Sequence, residues 1–280
     1  MEEVKRWYRI GGFVISLQMP PIEEGQFLSP FRCAETEADW SFTVRVGRPT
    51  LPTQTVYLRR ELHSGSYLDG ECLCRVLFRE RSEQPLLISR RVAPSRFDVC
   101  IEEECLSLWD GNLLMKLLDL PTLLLQKGAV FLHASFVAYG GRAVLFTAPK
   151  QTGKSTQAEL WQRYLGAEVI NGDRVLLRRK DQSWYAFGSP YCGTSQICRA
   201  GEYPVAALVV LRQGKENALR MARPREVAAA LLDGCTFDPL VQTEQILDAA
   251  LELQECLPVY HFSCLPQESA VYCLRDALFL

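Results

Sequence analysis

The first hundred residues alternate apolar and polar side chains at a period of two, which is typical of strands that bury one face. Short stretches rich in Gly, Pro, Ser and Asp separate these segments and predict turns at residues 47–49, 63–66, 69–70 and 93–95. The predicted strands are residues 41–46, 55–59, 72–78, 86–92 and 97–101. This part of the chain is therefore expected to form an antiparallel sheet or a small barrel.

The pattern changes near residue 108. A turn and helix cap are predicted at residues 109–111, and residues 112–126 show helical spacing with Pro121 as a break or kink. Two apolar runs follow, at 129–139 and 142–147. The Gly140-Gly141 pair between them favours a tight hairpin.

The rest of the chain mixes the two kinds of element. Helices are predicted at residues 155–164, 223–232, 242–256 and 268–278, and strands at 167–170, 175–177, 184–187, 206–211 and 258–264. The chain thus divides into a β-rich N-terminal domain, residues 1–108, and a mixed domain, residues 109–280. The predicted fold class is α/β, of the α+β kind.

Composition narrows the class of protein. The 280 residues are 48% hydrophobic and 23% charged, and 31 Lys and Arg stand against 33 Asp and Glu. This balance is ordinary for a soluble globular chain, and the lack of a basic excess argues against a nucleic-acid partner. The N-terminus lacks the pattern of a signal peptide, and no apolar run is long enough to cross a bilayer. We expect a cytoplasmic protein that does not bind membranes.

The chain has 11 cysteines. An odd number without an export signal favours free thiols over a disulfide framework. No C-x-x-C pair occurs, so most of these residues are expected to serve as small apolar side chains, with a metal site as the lesser alternative.

The strongest chemical motif follows the strand at 142–147. It begins with an Ala, has four intervening residues and ends in Gly-Lys-Ser, as in loops that wrap phosphates between a strand and a helix. Inward backbone N–H groups and the helix N-terminus suit an anion, Lys154 reaches the β- and γ-phosphates, and the Ser155 hydroxyl suits magnesium. We therefore predict binding of ATP with Mg²⁺ by a nucleotide-binding segment comprising Ala148, Pro149, Lys150, Gln151, Thr152, Gly153, Lys154, Ser155 and Thr156.

Two residues outside this segment are candidates for the same site. Asp173 comes at the end of the next predicted strand, where a carboxylate could hold magnesium together with Ser155. The alternative is a plain turn, because Asn171-Gly172 alone favours one. His133 lies in the strand expected to pair with 142–147, so it is either a core histidine or a residue close to the γ-phosphate. His63 and His261 have no such context and are expected to be structural.

Four features occur in an order that resembles a known family: Leu132-His133-Ala134-Ser135, the hairpin, the Lys154 loop and Asn171-Gly172-Asp173-Arg174. The family is that of HPr kinase/phosphorylase and the related ATP-dependent phosphoenolpyruvate carboxykinases. The resemblance covers residues 128–200. The whole layout is most similar to the stand-alone HPr-kinase-like proteins found beside modified-peptide biosynthesis genes, some of which phosphorylate a serine on a peptide precursor.

The resemblance implies a role for each matching residue. Lys154 would contact the phosphates, Ser155 and Asp173 would hold magnesium, and His133 would lie near the transferred phosphoryl group. The implied catalytic residues are thus His133, Lys154 and Asp173. Residues 188–194 fall where such proteins have a loop near the site, so acceptor contacts or a lid are expected there.

Two departures from the family pattern bear on catalysis. The family's Asp-Asp pair is Gly172-Asp173 here, so the metal-binding second acid is kept, and the first, the expected general base, is lost. Pro149 removes one backbone donor from the phosphate-binding loop, although Lys150 adds a charge. Phosphoryl transfer depends mainly on positioning and charge, so binding should tolerate both changes better than catalysis does.

Two hypotheses remain open. The first is an ATP- and magnesium-dependent kinase acting on a hydroxyl of a peptide, protein or small molecule. The second is a nucleotide-binding regulatory module with weak or no catalysis. A carboxykinase is disfavoured because that enzyme needs a larger chain and more basic substrate-binding residues, and another phosphate-loop activity is the residual alternative. A peptide or protein phosphoacceptor is the expected partner, and a homo-oligomer is consistent with the HPr kinases.

Overall fold

The structure is a computed structural model, and it describes residues 3–79, 82–106, 114–115, 118–238 and 242–280. The chain divides into two compact units, Met1–Leu118 and Asp119–Leu280. The first unit is built on strands, and the second mixes strands with helices. The protein is therefore a mixed α/β structure with two large sheets.

The first unit contains one sheet with the order β3-β1-β2-β4-β9-β8-β7-β6-β5. Its strands are β1 (Val4–Ile10), β2 (Phe13–Met19), β3 (Arg32–Cys33), β4 (Trp40–Val46), β5 (Tyr57–Arg60), β6 (Ser64–Asp69), β7 (Cys72–Phe78), β8 (Pro85–Ala93) and β9 (Arg96–Ile101). Short 3-10 turns lie at Ser29–Phe31 and Glu103–Leu106. The predicted strands correspond to β4, β5, β7, β8 and β9 and are confirmed, with β5 shifted toward the C-terminus.

Three features of this sheet differ from the sequence prediction. Strand β4 pairs in parallel with both β2 and β9, so the purely antiparallel arrangement is wrong. The hydrophobic pattern does not encode strand direction, which long-range pairing decides. Strands β1 and β2 were not predicted. Residues 63–66, predicted as a turn, enter strand β6, where Gly65 makes room for the Tyr57 ring, 3.1 Å from where a Cβ would lie.

The second unit contains five helices and eight strands among its described residues. The helices are α1 (Leu120–Leu125), α2 (Lys154–Leu165), α3 (Pro224–Gly234), α4 (Thr243–Cys256) and α5 (Glu268–Phe279). The strands are β10 (Ala129–Tyr139), β11 (Arg142–Thr147), β12 (Glu168–Asn171), β13 (Arg174–Lys180), β14 (Ser183–Phe187), β15 (Glu202–Gln213), β16 (Ala218–Met221) and β17 (Val259–Cys264). Apart from β16, each of these strands was predicted.

The long strands β10 and β15 organise the second sheet. Strand β10 pairs antiparallel with β11 through the Gly140-Gly141 hairpin, and also with β12 and β13. Strand β15 pairs with β14 and, in parallel, with both β11 and β17. Strands β11, β10, β13, β14 and β15 consequently form a closed ring of pairings. This topology brings the end of β11 and the start of β13 together at the middle of β10, beside His133 and Ala134.

Two apolar layers cover the faces of this sheet. On strand β11, Ala143 and Leu145 pack into one core cluster, while Val144 and Phe146 pack into the other. Helices α3 and α4 contribute to the first cluster, and α2 and α5 to the second. Since both faces are buried, β11 reads as a continuous apolar run and not as an alternating one.

The predicted helices in the second unit are confirmed with one change. Within the described residues of the region 112–126, helix α1 begins at Leu120 and has Pro121 in its first turn. Proline is well tolerated there because its missing N–H has no partner in the first turn. Leu114 and Met115 are also helical and residues 118–119 form a turn, so Pro121 starts a new helix: the predicted break is found, and the kink is not. The turn and cap predicted at residues 109–111, and positions 112–113 and 116–117, lie outside the described residues. No helix among those described has the length and apolarity to cross a membrane.

The cysteines differ widely in exposure. Cys256 is an exposed free thiol on α4, whereas Cys264 is a buried free thiol at the end of β17. Burial raises the pKa of the Cys264 thiol to about 11. Thiols of this kind agree with the sequence prediction, and no group of three potential metal ligands occurs among the described residues.

This difference in exposure predicts selective alkylation. In the native protein at about pH 8, iodoacetamide is expected to modify Cys264 more than about tenfold more slowly than Cys256, because only the thiolate reacts and a buried site is hard to reach. Peptide mass spectrometry over a time course measures both rates. The same reaction in denaturant is the control and should remove the difference. Equal rates in the native protein would contradict the burial of Cys264.

Candidate functional site

The nucleotide-binding segment predicted from the sequence connects strand β11 to helix α2. Gly153 precedes the helix with φ of 111°, and Gln151 also lies in the left-handed region with φ of 62°. The Gln213 side chain at the end of β15 donates a hydrogen bond to the Gln151 carbonyl at 3.2 Å. These turns direct the N-terminus of α2, with its unpaired N–H groups and positive dipole end, toward the segment.

Lys154 is the buried cation of this segment, with only 7% of its surface exposed. Its Nζ donates to the carbonyls of Ala148 at 2.8 Å and Pro149 at 3.2 Å. No carboxylate lies within 4.0 Å of Nζ among the described residues. Burial lowers the pKa of Lys154, an effect that the more distant Asp173 opposes. An ammonium held by two neutral carbonyls is suited to receive an anion.

The other members of the segment are accessible to a ligand. Pro149, Lys150, Gln151, Ser155 and Thr156 are exposed, and Ala148, Thr152 and Gly153 are partly buried. Ser155 is the second residue of helix α2, so its hydroxyl lies on the same helical turn as Lys154. Together they present hydroxyl and ammonium groups at one helix end, which is the chemistry that phosphate binding requires.

Asp173 and His133 are brought together by strand pairing. The N–H of Ala134 donates to the Asp173 carbonyl at 3.1 Å, and His133 lies opposite Arg174 in the β10–β13 register. His133 Nε2 is 3.2 Å from Asp173 Oδ1, and the two side chains are 19% and 23% exposed. His133 is thus a partly exposed residue in an otherwise buried stretch of β10, and it faces the carboxylate and not the core.

The surroundings of Asp173 favour its ionised form. The hydrogen bond from His133 is the largest cause that lowers the pKa of Asp173, and the charges of Arg174 and Lys154 act in the same direction against burial. A carboxylate and a hydroxyl such as Ser155 are ligands that Mg²⁺ accepts, since this ion commonly takes one or two carboxylates and completes its shell with phosphates and water. The residues present therefore fit a magnesium site shared with a nucleotide, although joint ligation by Ser155 and Asp173 stays a prediction.

Asn171 organises the turn that holds Asp173. Its side chain is fully buried, and its Oδ1 accepts hydrogen bonds from the N–H groups of Asp173 at 2.9 Å and Arg174 at 2.8 Å. Its Nδ2 donates to the carbonyls of Ser189 at 3.0 Å and Tyr191 at 2.9 Å. Sequence reasoning recognised only a turn here. The side chain also ties Asp173 to the segment at 188–194, which was predicted to lie near the site.

Gly172 occupies a position where no side chain fits. A Cβ added there would lie 2.5 Å from the Ser195 Cβ and closer still to its Oγ. Ser195 is fixed because its Oγ donates to the Cys192 carbonyl at 2.9 Å. A Cβ added to Gly193 would lie 2.6 Å from Asp173 Cγ, so the short 3-10 turn Gly193–Ser195 packs directly over Gly172 and Asp173. This turn therefore leaves no space for a side chain at position 172.

Sequence reasoning did not identify Arg174, the neighbour of Asp173. Its Nε is 4.0 Å from Asp173 Oδ2, and the side chain is 23% exposed. The sequence marked Arg174 only through its place in Asn171-Gly172-Asp173-Arg174. The groups that hold the Arg174 side chain, namely two aromatic rings and a carbonyl, come from distant parts of the chain. The site thus joins Lys154, at the start of α2, to His133 on β10, Arg174 on β13 and Asp173 in the turn before β13.

Comparisons with known proteins give structural similarity but no sequence match. No family model matches the sequence, and no curated protein matches it. A solved structure, that of the HPr(Ser) kinase/phosphatase from Coxiella burnetii, is similar over 52% of this chain and 91% of that chain, with 13% sequence identity and a TM-score of 0.30. The identity and the TM-score are too low for this similarity to decide the activity of the chain.

Proposed function

We propose that this protein is an ATP- and magnesium-dependent phosphotransferase that acts on a hydroxyl group of a peptide or protein. The observation that carries the proposal is Lys154, a buried cation that no carboxylate of the described residues contacts, at the start of a helix near the Asp173–His133 pair. An uncompensated buried charge is costly unless a ligand of opposite sign neutralises it. Phosphates at a helix N-terminus supply that charge.

Each residue has a distinct task in the transfer. The acceptor oxygen forms a bond to the γ-phosphorus while the bond from that phosphorus to the bridging oxygen breaks and ADP leaves. Lys154 and the N-terminus of α2 neutralise charge on the phosphates. His133 turns Nε2 to Asp173, so its other ring nitrogen, when neutral, can take the proton that the acceptor hydroxyl loses. Magnesium held by Ser155 and Asp173 would supply further neutralisation of the phosphate charge.

The acceptor side of the site is assigned to the segment at 188–194 and to the turn Gly193–Ser195, which overlaps its end. This segment packs over Asp173, and its Tyr191 and Gly193 are partly buried while Thr194 is exposed. An acceptor hydroxyl must approach the phosphoryl group opposite the leaving oxygen, and this segment borders that space next to Asp173. The proposal of a peptide or protein acceptor, as opposed to a small molecule, is supported by the resemblance to HPr-kinase-like proteins.

A nucleotide-binding regulatory module is the second candidate. It is favoured by the packing of Ser195 against Gly172, because the Ser195 side chain fills the space in which the kinases that this chain resembles carry the first acid of their Asp-Asp pair. In this alternative, nucleotide binding would order the Gly193–Ser195 turn without transfer. The two candidates share the phosphate-binding residues and differ only in turnover.

Replacement of Asp173 by asparagine tests the proposal. The change keeps the shape of the side chain but removes the charge that would hold magnesium. We expect phosphoryl transfer from labelled ATP to a panel of serine-containing peptides to fall by at least about 100-fold, because the electrostatic contribution of one such group is of that order. The matched control is Asp181→Asn, since Asp181 is an exposed carboxylate in the turn after β13 and should tolerate the change.

The outcomes separate the candidates. Transfer that is lost in Asp173→Asn and kept in Asp181→Asn supports the phosphotransferase. Magnesium-dependent ATP binding with no turnover on any peptide or protein acceptor supports the regulatory module. Failure of the wild-type protein to bind ATP, measured by calorimetry with and without magnesium, would remove both.

A further inference from the structure

Arg174 is held in one orientation by contacts from three parts of the second unit. Its Nη1 donates to the carbonyl of Gly234, the last residue of α3, at 3.0 Å. Its guanidinium carbon lies 5.7 Å from the ring centre of Phe131 and 5.9 Å from that of Tyr191, and the two rings pack edge to face. An arginine within cation–π distance of two aromatic rings and hydrogen-bonded at a helix C-terminus is pre-organised, so it loses little entropy when it binds a ligand.

The contact of Arg174 with Asp173 leaves donors for a ligand. The separation of 4.0 Å between Nε and Oδ2 is at the limit of an ion pair, and Nη2 has no hydrogen-bond partner among the described residues. The guanidinium is also partly exposed at the site. Arginine has five N–H donors in a fixed fork, so one bond to Gly234 and a weak contact with Asp173 leave part of the fork available.

The local charges favour an anion beside Arg174. Among the described residues of the site, the two cations Lys154 and Arg174 both interact with one carboxylate, Asp173, and Arg174 is among the groups that lower the pKa of Lys154. The half-buried site therefore carries an excess of positive charge before any metal is considered. Metal bound at Asp173 would add more. A ligand that brings several negative charges to this point would relieve the repulsion between the two cations.

We propose that Arg174 binds the γ-phosphate of the nucleotide and stays bound to the phosphoryl group during transfer. The inference rests on the proposed function. Its geometric basis is that Arg174 lies beside Asp173 Oδ2 while His133 contacts Oδ1 of the same carboxylate, and this carboxylate is the one that would hold magnesium next to the phosphates. A fork-shaped donor is suited to two oxygens of one phosphoryl group, and ADP lacks that group.

A purely structural role would have a different signature. Arg174 also anchors the C-terminus of α3 through Gly234, so its removal could disturb the packing around strand β13. In that case the affinities for ATP and ADP would fall together with the thermal stability. A γ-phosphate contact instead affects ATP alone, and this selectivity does not require any measurement of turnover.

The experiment compares the dissociation constants of ATP and ADP, each with magnesium, by calorimetry. Arg174→Ala is expected to weaken ATP binding by about 10- to 100-fold, the usual effect of losing hydrogen bonds to a charged group, and to change ADP binding by less than about twofold. Arg174→Lys keeps the charge without the fork, and it should lie between the wild type and Arg174→Ala. The matched control is Arg179→Ala on the same strand, where the side chain is exposed, and it should bind both nucleotides as the wild type does.

Each result decides the inference. Selective loss of ATP affinity in Arg174→Ala, with the intermediate value in Arg174→Lys, supports it. Equal losses for ATP and ADP, or no loss for either, would overturn it while leaving the phosphotransferase proposal intact. If Arg174→Ala does not fold, as shown by thermal unfolding, Arg174→Lys alone provides the ratio, and an unchanged ratio there overturns the inference. Wild-type protein that binds no ATP would overturn both.

Discussion

Lys154→Ala is expected to weaken binding of ATP with magnesium by at least about 100-fold without destabilising the fold. The loss follows from removing a cation directed at two phosphates, since each charge-assisted hydrogen bond contributes about 1.5–3 kcal/mol and about 1.4 kcal/mol corresponds to tenfold in affinity. Calorimetric titration measures the affinity. Lys215→Ala is the matched control, because Lys215 is an exposed lysine elsewhere in the second unit.

The effect of Lys154→Ala on the stability of the fold has a definite sign. Burial lowers the pKa of Lys154, so the folded state disfavours its charged form. Stability associated with this group is fully present above the ordinary lysine pKa of about 10.4 and is lost as the pH falls through the lowered folded value. Near pH 7 the charged side chain therefore opposes folding. Its removal should leave the melting temperature unchanged or raise it.

Two results would contradict this account of Lys154. A large fall in the melting temperature of Lys154→Ala at neutral pH would show that the lysine stabilises the ligand-free fold through its bonds to Ala148 and Pro149. Unchanged ATP affinity in a folded variant would show that the residue does not contact phosphate. A residue that is neutral or unfavourable for stability and essential for binding is the expected outcome at a functional site.

Gly172→Asp is expected to lower the free energy of unfolding by about 2–3 kcal/mol, although it restores the acid that the resemblance leads one to expect. The added Cβ would overlap the Ser195 side chain, and overpacking of this kind costs about 1–3 kcal/mol. The new carboxylate would also lie next to Asp173, which adds repulsion between like charges. Chemical denaturation of Gly172→Asp and wild type measures the difference.

Removing the obstructing side chain should reverse most of this loss. In Gly172→Asp combined with Ser195→Gly, the Cβ at position 172 gains the volume that Ser195 occupied. We expect coupling of the two substitutions in a double-mutant cycle, because their side chains would be in contact. Stability close to that of Ser195→Gly alone is the expected result. A double variant as unstable as Gly172→Asp would show that Ser195 is not the obstacle.

The same double variant tests the catalytic consequence of the missing acid. If the proposed transfer occurs, a second carboxylate beside Asp173 should raise its rate by about 10- to 100-fold, since general-base catalysis contributes about 100-fold or more. The control is Gly172→Asn with Ser195→Gly, which has the same shape but cannot accept a proton as a base. An equal increase in both double variants would attribute the effect to the opened turn and not to a base.

The sequence by itself determined the local architecture of the candidate site. The apolar runs of β10 and β11, the Gly140-Gly141 hairpin, the segment from Ala148 to Ser155 and the helix after it all agree with the structure. These features depend on residues that are near neighbours in the chain. Periodicity, glycine turns and helix-starting residues act over a few positions, so the pattern alone predicts them.

Only the tertiary structure decided which side chains meet. The His133–Asp173 contact, the aromatic rings around Arg174 and the Ser195 side chain over Gly172 each join residues from separate elements. The parallel pairs of β4 in the first unit are of the same kind. Such contacts depend on strand direction, register and loop placement, which the hydrophobic pattern leaves open because a strand buries the same residues whichever neighbour it pairs with.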